Sequence, residues 1–493
     1  MSTNYILSID QSTTSTKVLL IDRDGICIYK SNILHRQFYP QPGWVEQDAE
    51  EIFQNVLRGI YDVLHHSGTT PEKIAGIAIT NQTGAFVLWS RKTGRPVSPL
   101  IGWQCSRGQA AVERLSEPAI AEFYASTGTV PSGFMPAAKV RWLFDEKPEL
   151  QAQAERGELA FGSVDSWLIW CLTGGESHVT DCGNACVTQL LDLYTLDWSD
   201  AALRTFSLPR AMLPKILDSD AIFGRCHVSS LPQWPIAAVM GDSNAALLSQ
   251  GAFLPGSIKA TYGTGVSVLL NMGSTPTPEK NGLLPGVAWK LGGVPTYVLE
   301  GTAVCAGASI GWLVDELGII PDSAQTDALA RSISGTDGVY FVSAFNGLGT
   351  PYWDTNAAAC IIGMRRGVGK AHLIRAALEG VAYQITDILY AGLGPDLQTY
   401  PIYADGGMTK NTFLMQFQAD ITGAEIKQNN IDESSALGAA YLAGIQLGFW
   451  DDLASIPGSK QSRTVYQPML PRHAARTLYA GWKNAIKTAR GTR

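Results

Sequence analysis

The start of the chain alternates short apolar runs with turn residues. Apolar, β-rich segments at Tyr5–Ile9 and Lys17–Asp22 are followed, after an Asp-Gly turn, by a third at Ile26–Ile33. Asp48 and Gly68 then bracket a segment whose apolar residues recur at helical spacing: Ile52, Val56, Leu57, Ile60 and Leu64. Because hairpin strands precede this helix, we predict a mixed α/β domain and not a purely alternating parallel one.

The second half of the chain repeats this order. The pattern predicts a strand at Gly256–Tyr262, a turn at Gly263-Thr264-Gly265 and a partner strand at Val266–Asn271. A helical pattern over His372–Tyr390 follows, and Gly392 is expected to end it. Each half therefore opens with a strand, a turn rich in Gly, Thr or Ser, and a second strand, which indicates a duplicated architecture.

Length and composition narrow the possibilities further. A chain of 493 residues exceeds what one hydrophobic core normally serves, so we expect an N-terminal domain over 1–250 and a C-terminal domain over 251–493. The net charge of −7 and the scattered basic residues argue against a nucleic-acid partner. No apolar run is long enough to span a membrane, and the start lacks a secretory pattern, so we expect a cytoplasmic protein. The eight cysteines show no zinc-site spacing.

A polar segment between the first two predicted strands is the first candidate site. It runs Asp10-Gln11-Ser12-Thr13-Thr14-Ser15-Thr16-Lys17. Backbone N–H groups and hydroxyls in such a turn can surround a phosphate, Lys17 can pair with it, and Asp10 can hold Mg²⁺ directly or through water. A plain polar hairpin tip explains the same residues equally well.

Two glycine turns in the second half are further candidates. Gly263-Thr264-Gly265 would let the backbone approach an anion closely. Asp405-Gly406-Gly407-Met408-Thr409-Lys410-Asn411 lies between a predicted strand and a helix, where glycine backbone can face a flat or charged ligand. Either segment could be an ordinary turn. Taken with the first loop, they indicate a phosphate held from both halves of the chain.

Asp242 is the candidate for acid–base chemistry. It follows the apolar run Ile236–Met240, so its carboxylate could extend from a core strand into a cleft and act as a general base. Asp is also a favoured helix cap, and both readings can hold together. Other nucleotide and zinc motifs are absent from the sequence, including the Walker A, GxGxxG and HExxH patterns.

Several long strings resemble the FGGY family of carbohydrate kinases, and within it the glycerol kinases most of all. Residues 134–146 and 359–379 fit the two family signatures, and residues 42–48 and 179–185 are similar to glycerol kinases. The resemblance covers essentially the whole chain. It implies an α/β, actin-like ATPase fold of two ribonuclease-H-like domains, with ATP and Mg²⁺ in the cleft between them.

The resemblance also implies roles by position. The expected ATP-contacting residues are Thr13, Thr14, Ser15, Lys17, Thr264, Gly307, Gly407 and Asn411. Asp242 matches the catalytic base and Asp10 the carboxylate near the metal. Lys17 stands where glycerol kinases usually have arginine, and Gly311 stands where a glutamine meets the nucleotide, so that contact is lost.

The resemblance weakens at the substrate positions. These positions are Thr83, Gly84, Trp103, Phe134, Asp242, Ser243 and Ser267. Only Trp103 and Asp242 match glycerol kinases, which have an Arg–Glu pair in place of Thr83 and Gly84. At the other three positions they have Tyr, Gln and Phe. Most of the replacements are smaller or lack a hydroxyl, so we expect a roomier pocket.

The combined prediction is an ATP-dependent kinase of a small polyol or ketose larger than glycerol, such as a tetritol, pentitol or pentulose. A true glycerol kinase with an unusual pocket is one alternative. A catalytically weak nucleotide-binding sensor or scaffold is another, although retention of Asp10, Asp242 and Thr264 argues against it. We expect a homo-oligomer, namely a dimer.

Overall fold

A mixed sheet forms the centre of the N-terminal half of the computed structural model, which describes residues 4–397, 399–429, 432–460 and 463–491. Within those ranges its strands lie in the order Gly224–Arg225, Pro235–Gly241, Ile74–Asn81, Tyr5–Gln11, Ser15–Asp22, Cys27–Leu34. Tyr5–Gln11 pairs antiparallel with Ser15–Asp22 and parallel with Ile74–Asn81. The hairpin predicted at the start of the chain therefore lies in the middle of a sheet.

The C-terminal half contains a second mixed sheet, in which a hairpin again pairs with a parallel strand. Its described strands lie in the order Leu284–Leu291, Val294–Ala303, Val266–Gly273, Ile258–Tyr262, Ile402–Asp405, Ile426–Gln428, Thr464–Tyr466. Ile258–Tyr262 pairs antiparallel with Val266–Gly273 and parallel with Ile402–Asp405, as its counterpart does in the first sheet. The structure thus contains the duplicated architecture that the pattern predicts. In each sheet, the hairpin turn lies at the carboxyl end of the strand that also has a parallel partner.

Helices and small sheets cover these two sheets. The helices are Ala49–Ser67, Gln109–Glu113, Glu117–Thr127, Pro136–Glu146, Pro148–Glu155, Val164–Leu172, Cys182–Val187, Asp200–Phe206, Asp242–Ser249, Gly307–Asp315, Thr326–Arg331, Lys370–Leu393, Thr412–Thr422, Ser434–Gln446 and Arg472–Gly491. The remaining strands are Gln37–Phe38, Glu46–Gln47, Phe86–Ser90, Leu100–Ile101, Leu159–Ser163, Val179–Asp181, Lys215–Leu217, Tyr340–Val342 and Cys360–Ile362. Among the described residues, no helix is long and apolar enough to cross a membrane.

Local signals predicted one long helix well and the end of another poorly. The Asp48 side chain caps the helix Ala49–Ser67, and Gly68 ends it with a left-handed φ of 65°. The predicted stop at Gly392 is wrong, because the helix Lys370–Leu393 includes Gly392 and has Gly394 as its C-cap. Gly392 serves packing instead: a Cβ there would collide with the side chain of Leu270.

One helix of the second half belongs to the core of the first. Ser434–Gln446, which we call the linking helix, packs on the N-terminal sheet, and Ser8 Oγ donates a hydrogen bond to the Ala436 carbonyl at 2.6 Å. It also lies so close to Asp242–Ser249 that a Cβ on Gly438 would strike the backbone of Ala245. The division of the chain at residue 250 stays a prediction. The linking helix nevertheless places residues of the second half of the chain against the first strand of the N-terminal hairpin.

Candidate active site

The first hairpin turn is organised by its own polar groups. Ser12 Oγ donates to the Ser15 carbonyl at 2.9 Å, and Ser15 is buried. The Thr13 carbonyl accepts from Gln47 Nε2 at 2.8 Å, while Thr14 is exposed. Of the predicted phosphate-contacting residues in this turn, Thr13 and Thr14 are accessible to solvent. Ser15 is buried and stabilises the turn through its hydrogen bond with Ser12.

Lys17 and Asp10 face each other across the first hairpin. Lys17 Nζ lies 3.9 Å from Asp10 Oδ2 and donates to Glu433 Oε2 at 2.5 Å. Burial raises the pKa of Asp10 to about 7. The positive charge of Lys17 opposes this rise, and the negative charges of Asp242 and Glu433 add to it. Lys17 therefore lies between the carboxylates of Asp10 and Glu433, where the sequence indicated a phosphate and a metal.

The donor chemistry at Asp10 fits Mg²⁺. Mg²⁺ in kinases is usually held by one or two carboxylates together with substrate phosphates and water. In the described part of the chain, no three His, Cys, Asp or Glu residues are grouped so as to hold a metal ion. The Asp10 carboxylate, whose pKa is raised chiefly by burial and further by neighbouring negative charges, is suited to a cation shared with a nucleotide and not to a metal held by protein alone.

A cavity in the C-terminal half gathers the predicted nucleotide residues of that half. It has a volume of about 630 Å³, and its lining includes Thr264, Gly307, Gly311, Gly407 and Asn411. The Gly307 N–H donates to the Gly263 carbonyl at 3.0 Å, and a Cβ on Gly307 would lie only 2.7 Å from that oxygen. Glycine is needed there because the hairpin turn approaches the start of the helix Gly307–Asp315 so closely.

Asn411 both caps a helix and lines the cavity. Its Oδ1 accepts from the Leu414 N–H at 2.9 Å and so caps the helix Thr412–Thr422. Its Nδ2 donates to Thr326 Oγ1 at 3.0 Å. The residue also lines the cavity, so a structural cap and a ligand-facing position coincide.

Asp242 lies at the end of the central strand Pro235–Gly241. Gly241 is the N-cap of the following helix, so the capping role considered for Asp242 is wrong: it is the first helical residue. Its Oδ1 accepts from the Ser243 N–H at 2.7 Å. Burial raises the pKa of Asp242, against the opposing effects of this hydrogen bond and the charge of Lys259. A raised pKa suits a general base that must take a proton near neutral pH.

The predicted substrate residues of the first half surround the strand ends. A Cβ on Gly241 would lie 2.5 Å from Thr83 Cγ2, so Thr83 is next to the start of the Asp242 helix. Gly84 has a left-handed φ of 74°, and a Cβ on it would be 3.3 Å from the Cβ of Trp103. Trp103 Nε1 donates to Thr13 Oγ1 at 3.0 Å, which joins a predicted substrate residue to the first hairpin turn.

Trp103 and Phe134 present aromatic surface to solvent. Their exposed fractions are 47% and 49%. The helix Pro136–Glu146 follows Phe134, and Lys139 on this helix donates to the Gly102 and Trp103 carbonyls at 2.7 and 3.2 Å. The Trp103 backbone is therefore held firmly, although its ring is free to meet a ligand.

Sequence reasoning missed a second buried carboxylate whose charge interacts with that of Asp242. Ser267 Oγ donates to Glu300 Oε1 at 3.2 Å. Burial raises the pKa of Glu300, and the negative charge of Asp242 adds to this effect. Glu300 lies in the strand Val294–Ala303, which pairs with the strand of Ser267. Nothing in the local sequence distinguishes it from other strand residues.

Comparison with known proteins identifies the family of the chain. The N-terminal domain of the FGGY family of carbohydrate kinases matches residues 5–249, and its C-terminal domain matches residues 258–447. The chain belongs to this family. This FGGY kinase is 43% identical in sequence to glycerol kinase 1 of Thermotoga maritima, over 98% of this chain and 99% of that protein. It is 42% identical to the glycerol kinase of Symbiobacterium thermophilum, over 100% and 99% of the two chains.

Solved structures show the same fold for this FGGY kinase. The glycerol kinase of Plasmodium falciparum, solved with ADP, superposes with a TM-score of 0.93 at 32% identity, over 99% of this chain and 98% of that one. A ligand-bound xylulose kinase from Lactobacillus acidophilus superposes with a TM-score of 0.87 at 22% identity, covering 99% of each chain. The actin-like, two-domain ATPase fold is confirmed. The protein is an ATP-dependent phosphotransferase that acts on an alcohol group.

Proposed function

We propose that this kinase transfers the γ-phosphate of Mg²⁺-bound ATP to a hydroxyl of a small polyol or ketose larger than glycerol, such as a tetritol, pentitol or pentulose. Asp242 accepts the proton of the attacking hydroxyl, Asp10 contributes to the Mg²⁺ site, and Lys17 pairs with phosphate. Phosphoryl transfer depends mainly on positioning and on charge stabilisation, which these residues supply. Family membership favours this enzyme over the sensor or scaffold hypothesis.

The Ser267–Glu300 pair is the observation that carries the substrate proposal. Glycerol kinases resemble this chain but have Phe at the Ser267 position. Here the smaller residue leaves a carboxylate near Asp242, with its hydroxyl partner 3.2 Å away. A carboxylate accepts hydrogen bonds from several hydroxyl groups. The additional hydroxyls of a four- or five-carbon substrate would find acceptors there that glycerol is too short to reach.

Loss of the Arg–Glu pair supports the same proposal. Hydrogen bonds to charged groups contribute roughly 1.5–3 kcal/mol each, so replacing two such residues by Thr83 and Gly84 removes about 3–6 kcal/mol of glycerol binding if the terms add. At about 1.4 kcal/mol per factor of ten, glycerol is expected to lose on the order of 10²–10⁴ in kcat/KM.

Glycerol itself is the second candidate substrate. The proteins that are 43% and 42% identical to this chain are both glycerol kinases, and they match it over nearly its whole length. This similarity favours glycerol, whereas the residues at the substrate positions favour a larger compound. Cytoplasmic location and a homodimer remain predictions.

A substrate panel separates the two candidates. kcat/KM is measured under one set of conditions for glycerol, erythritol, xylitol, xylulose and ribulose. We expect at least one larger compound to exceed glycerol by about 10²-fold or more. The matched variant Ser267→Phe should lower kcat/KM for the larger compound more than for glycerol. If glycerol is the best substrate, with kcat/KM of about 10⁴ M⁻¹s⁻¹ or more, the proposal of a larger substrate is wrong.

A further inference from the structure

A polar pocket lies where the linking helix meets the first hairpin. Its volume is about 510 Å³, and two lysines and three carboxylates line it: Lys17, Lys30, Asp10, Asp432 and Glu433. Ser434 extends from it to Asp405, with Oγ 3.5 Å from Asp405 Oδ2. Asp405 directly precedes the glycine turn that lines the nucleotide cavity. Ser434 and Asp405 therefore connect the wall of this pocket to the glycine turn of the nucleotide cavity.

Glu433 bridges the two lysines. Its Oε2 accepts from Lys17 Nζ at 2.5 Å, and its Oε1 accepts from Lys30 Nζ at 2.8 Å. Glu433 has a left-handed φ of 61°, which is uncommon for a residue with a side chain and persists where the surroundings hold it. Its carboxylate lies just before the linking helix, between Lys17 of the strand Ser15–Asp22 and Lys30 of the strand Cys27–Leu34.

Both oxygens of Glu433 are used by lysines, and it is ionised. Burial raises the pKa of Glu433, but hydrogen bonds and charges from Lys17 and Lys30 outweigh burial and lower it. A negative Glu433 next to Lys17 cancels most of the charge that Lys17 could offer to a phosphate. Asp432 adds a second negative charge, so Lys30 is the group that offsets them.

We propose that Lys30 is a positioning and charge-compensating residue for the phosphates of ATP. Glu433 holds the flexible Lys17 side chain in place, and Lys30 neutralises Glu433 so that Lys17 keeps its attraction for phosphate. A lysine ammonium has three N–H donors, so Lys17 can keep its bond to Glu433 and still donate to a phosphate oxygen. The inference rests on the proposed phosphate role of Lys17 and is independent of which sugar is the substrate.

The first test removes the charge of Lys30. Lys30→Met is compared with the conservative Lys30→Arg and with Lys73→Met, which alters an exposed lysine at the other end of the N-terminal sheet. KM for ATP and Kd for a non-hydrolysable ATP analogue are measured in low and high salt. We expect Lys30→Met to raise both about 3–10-fold in low salt, with kcat at saturating ATP nearly unchanged.

High salt and the conservative variant Lys30→Arg test whether the effect depends on the positive charge at position 30. The Lys30 side chain is 43% exposed, so the effect should shrink in high salt, where charges are screened beyond roughly a Debye length. Lys30→Arg and Lys73→Met should behave like the wild type. A Lys30→Met protein with unchanged ATP-analogue affinity at low salt overturns the inference, and so does an equal loss in Lys30→Arg.

A double variant tests whether Lys30 acts through Glu433. Glu433→Gln should lower kcat, because Lys17 loses its anchor, without raising KM for ATP. In the Glu433→Gln background, Lys30→Met should have a much smaller further effect on KM, since the carboxylate charge that Lys30 contacts directly has been removed. Independent, additive losses would show that Lys30 does not act through Glu433 and would overturn the inference.

Lys17→Met separates a failure of the proposed phosphate role of Lys17 from a failure of the inference about Lys30. If Lys17→Met leaves ATP-analogue affinity and kcat unchanged, the proposed phosphate role of Lys17 fails, and the inference fails with it. If Lys17→Met impairs both but Lys30→Met does not, only the inference about Lys30 fails. Thermal melting of each variant shows whether a loss reflects the folded site, because a folding defect would lower the melting temperature as well.

Discussion

Replacing Asp10 with asparagine should make the ligand-free protein more stable at alkaline pH while removing its metal-dependent activity. Asp10 is 5% exposed and carries its charge close to Asp242 and Glu433, and the charge of Lys17 offsets it in part. Asparagine has nearly the same shape but no charge. The variant therefore removes an unfavourable ionised group from the apo site without creating a cavity.

The magnitude follows from the two pKa values of Asp10. In the folded protein the pKa is about 7, compared with 3.8 for an ordinary aspartate. The folded form therefore keeps a proton that the unfolded chain releases, so stability from Asp10 is present below about pH 4 and is lost as pH rises to about 7. About three pH units at 1.36 kcal/mol each set an upper limit of roughly 4 kcal/mol. We expect about 1–3 kcal/mol, because the variant also loses the attraction of Lys17.

The assay is thermal melting of the apo protein between pH 5 and pH 8.5. The melting temperature of Asp10→Asn minus that of the wild type should grow with pH and level off above about pH 7. Asp24→Asn, in an exposed turn of the same sheet, serves as the control and should give a flat difference. Mg²⁺ with ADP should stabilise the wild type more than Asp10→Asn. A difference that is flat or falls with pH would refute the reasoning.

Two further variants test the base and the nucleotide cavity. Asp242→Asn should reduce kcat by about 10²–10⁴-fold while ADP binding, measured by calorimetry, persists; near-normal turnover would remove Asp242 from the role of base. Gly307→Ala should weaken ADP binding and lower stability by about 1–3 kcal/mol, because the new methyl group would lie 2.7 Å from the Gly263 carbonyl. Gly311→Ala is its matched control in the same cavity, where the nearest atom, Asp315 Oδ2, would be 3.7 Å away. Equal effects of the two alanines would contradict this account.

The candidate site was predictable wherever its signals are local. The hairpin turn around Thr13, the glycine turn at Thr264 and the strand end at Asp242 could be located because turn residues interrupt apolar runs. The structure gathers Thr264, Gly307, Gly407 and Asn411 in one cavity. Glu300 and Lys30 could not be found in this way. Each is a single charged residue within a strand, and its importance comes from a neighbour in another part of the chain.

Sequence pattern was enough to predict the duplicated hairpins, the helix Ala49–Ser67 with both its ends, and the family of the protein. These features depend on interactions between residues close together in the chain: alternation of side chains, caps and glycine turns. The tertiary structure alone decided that Gly392 is a packing residue within a helix. It also decided that Lys17 meets Glu433, 416 residues away. Packing and electrostatic forces act through space, so only the folded chain determines which distant residues they join.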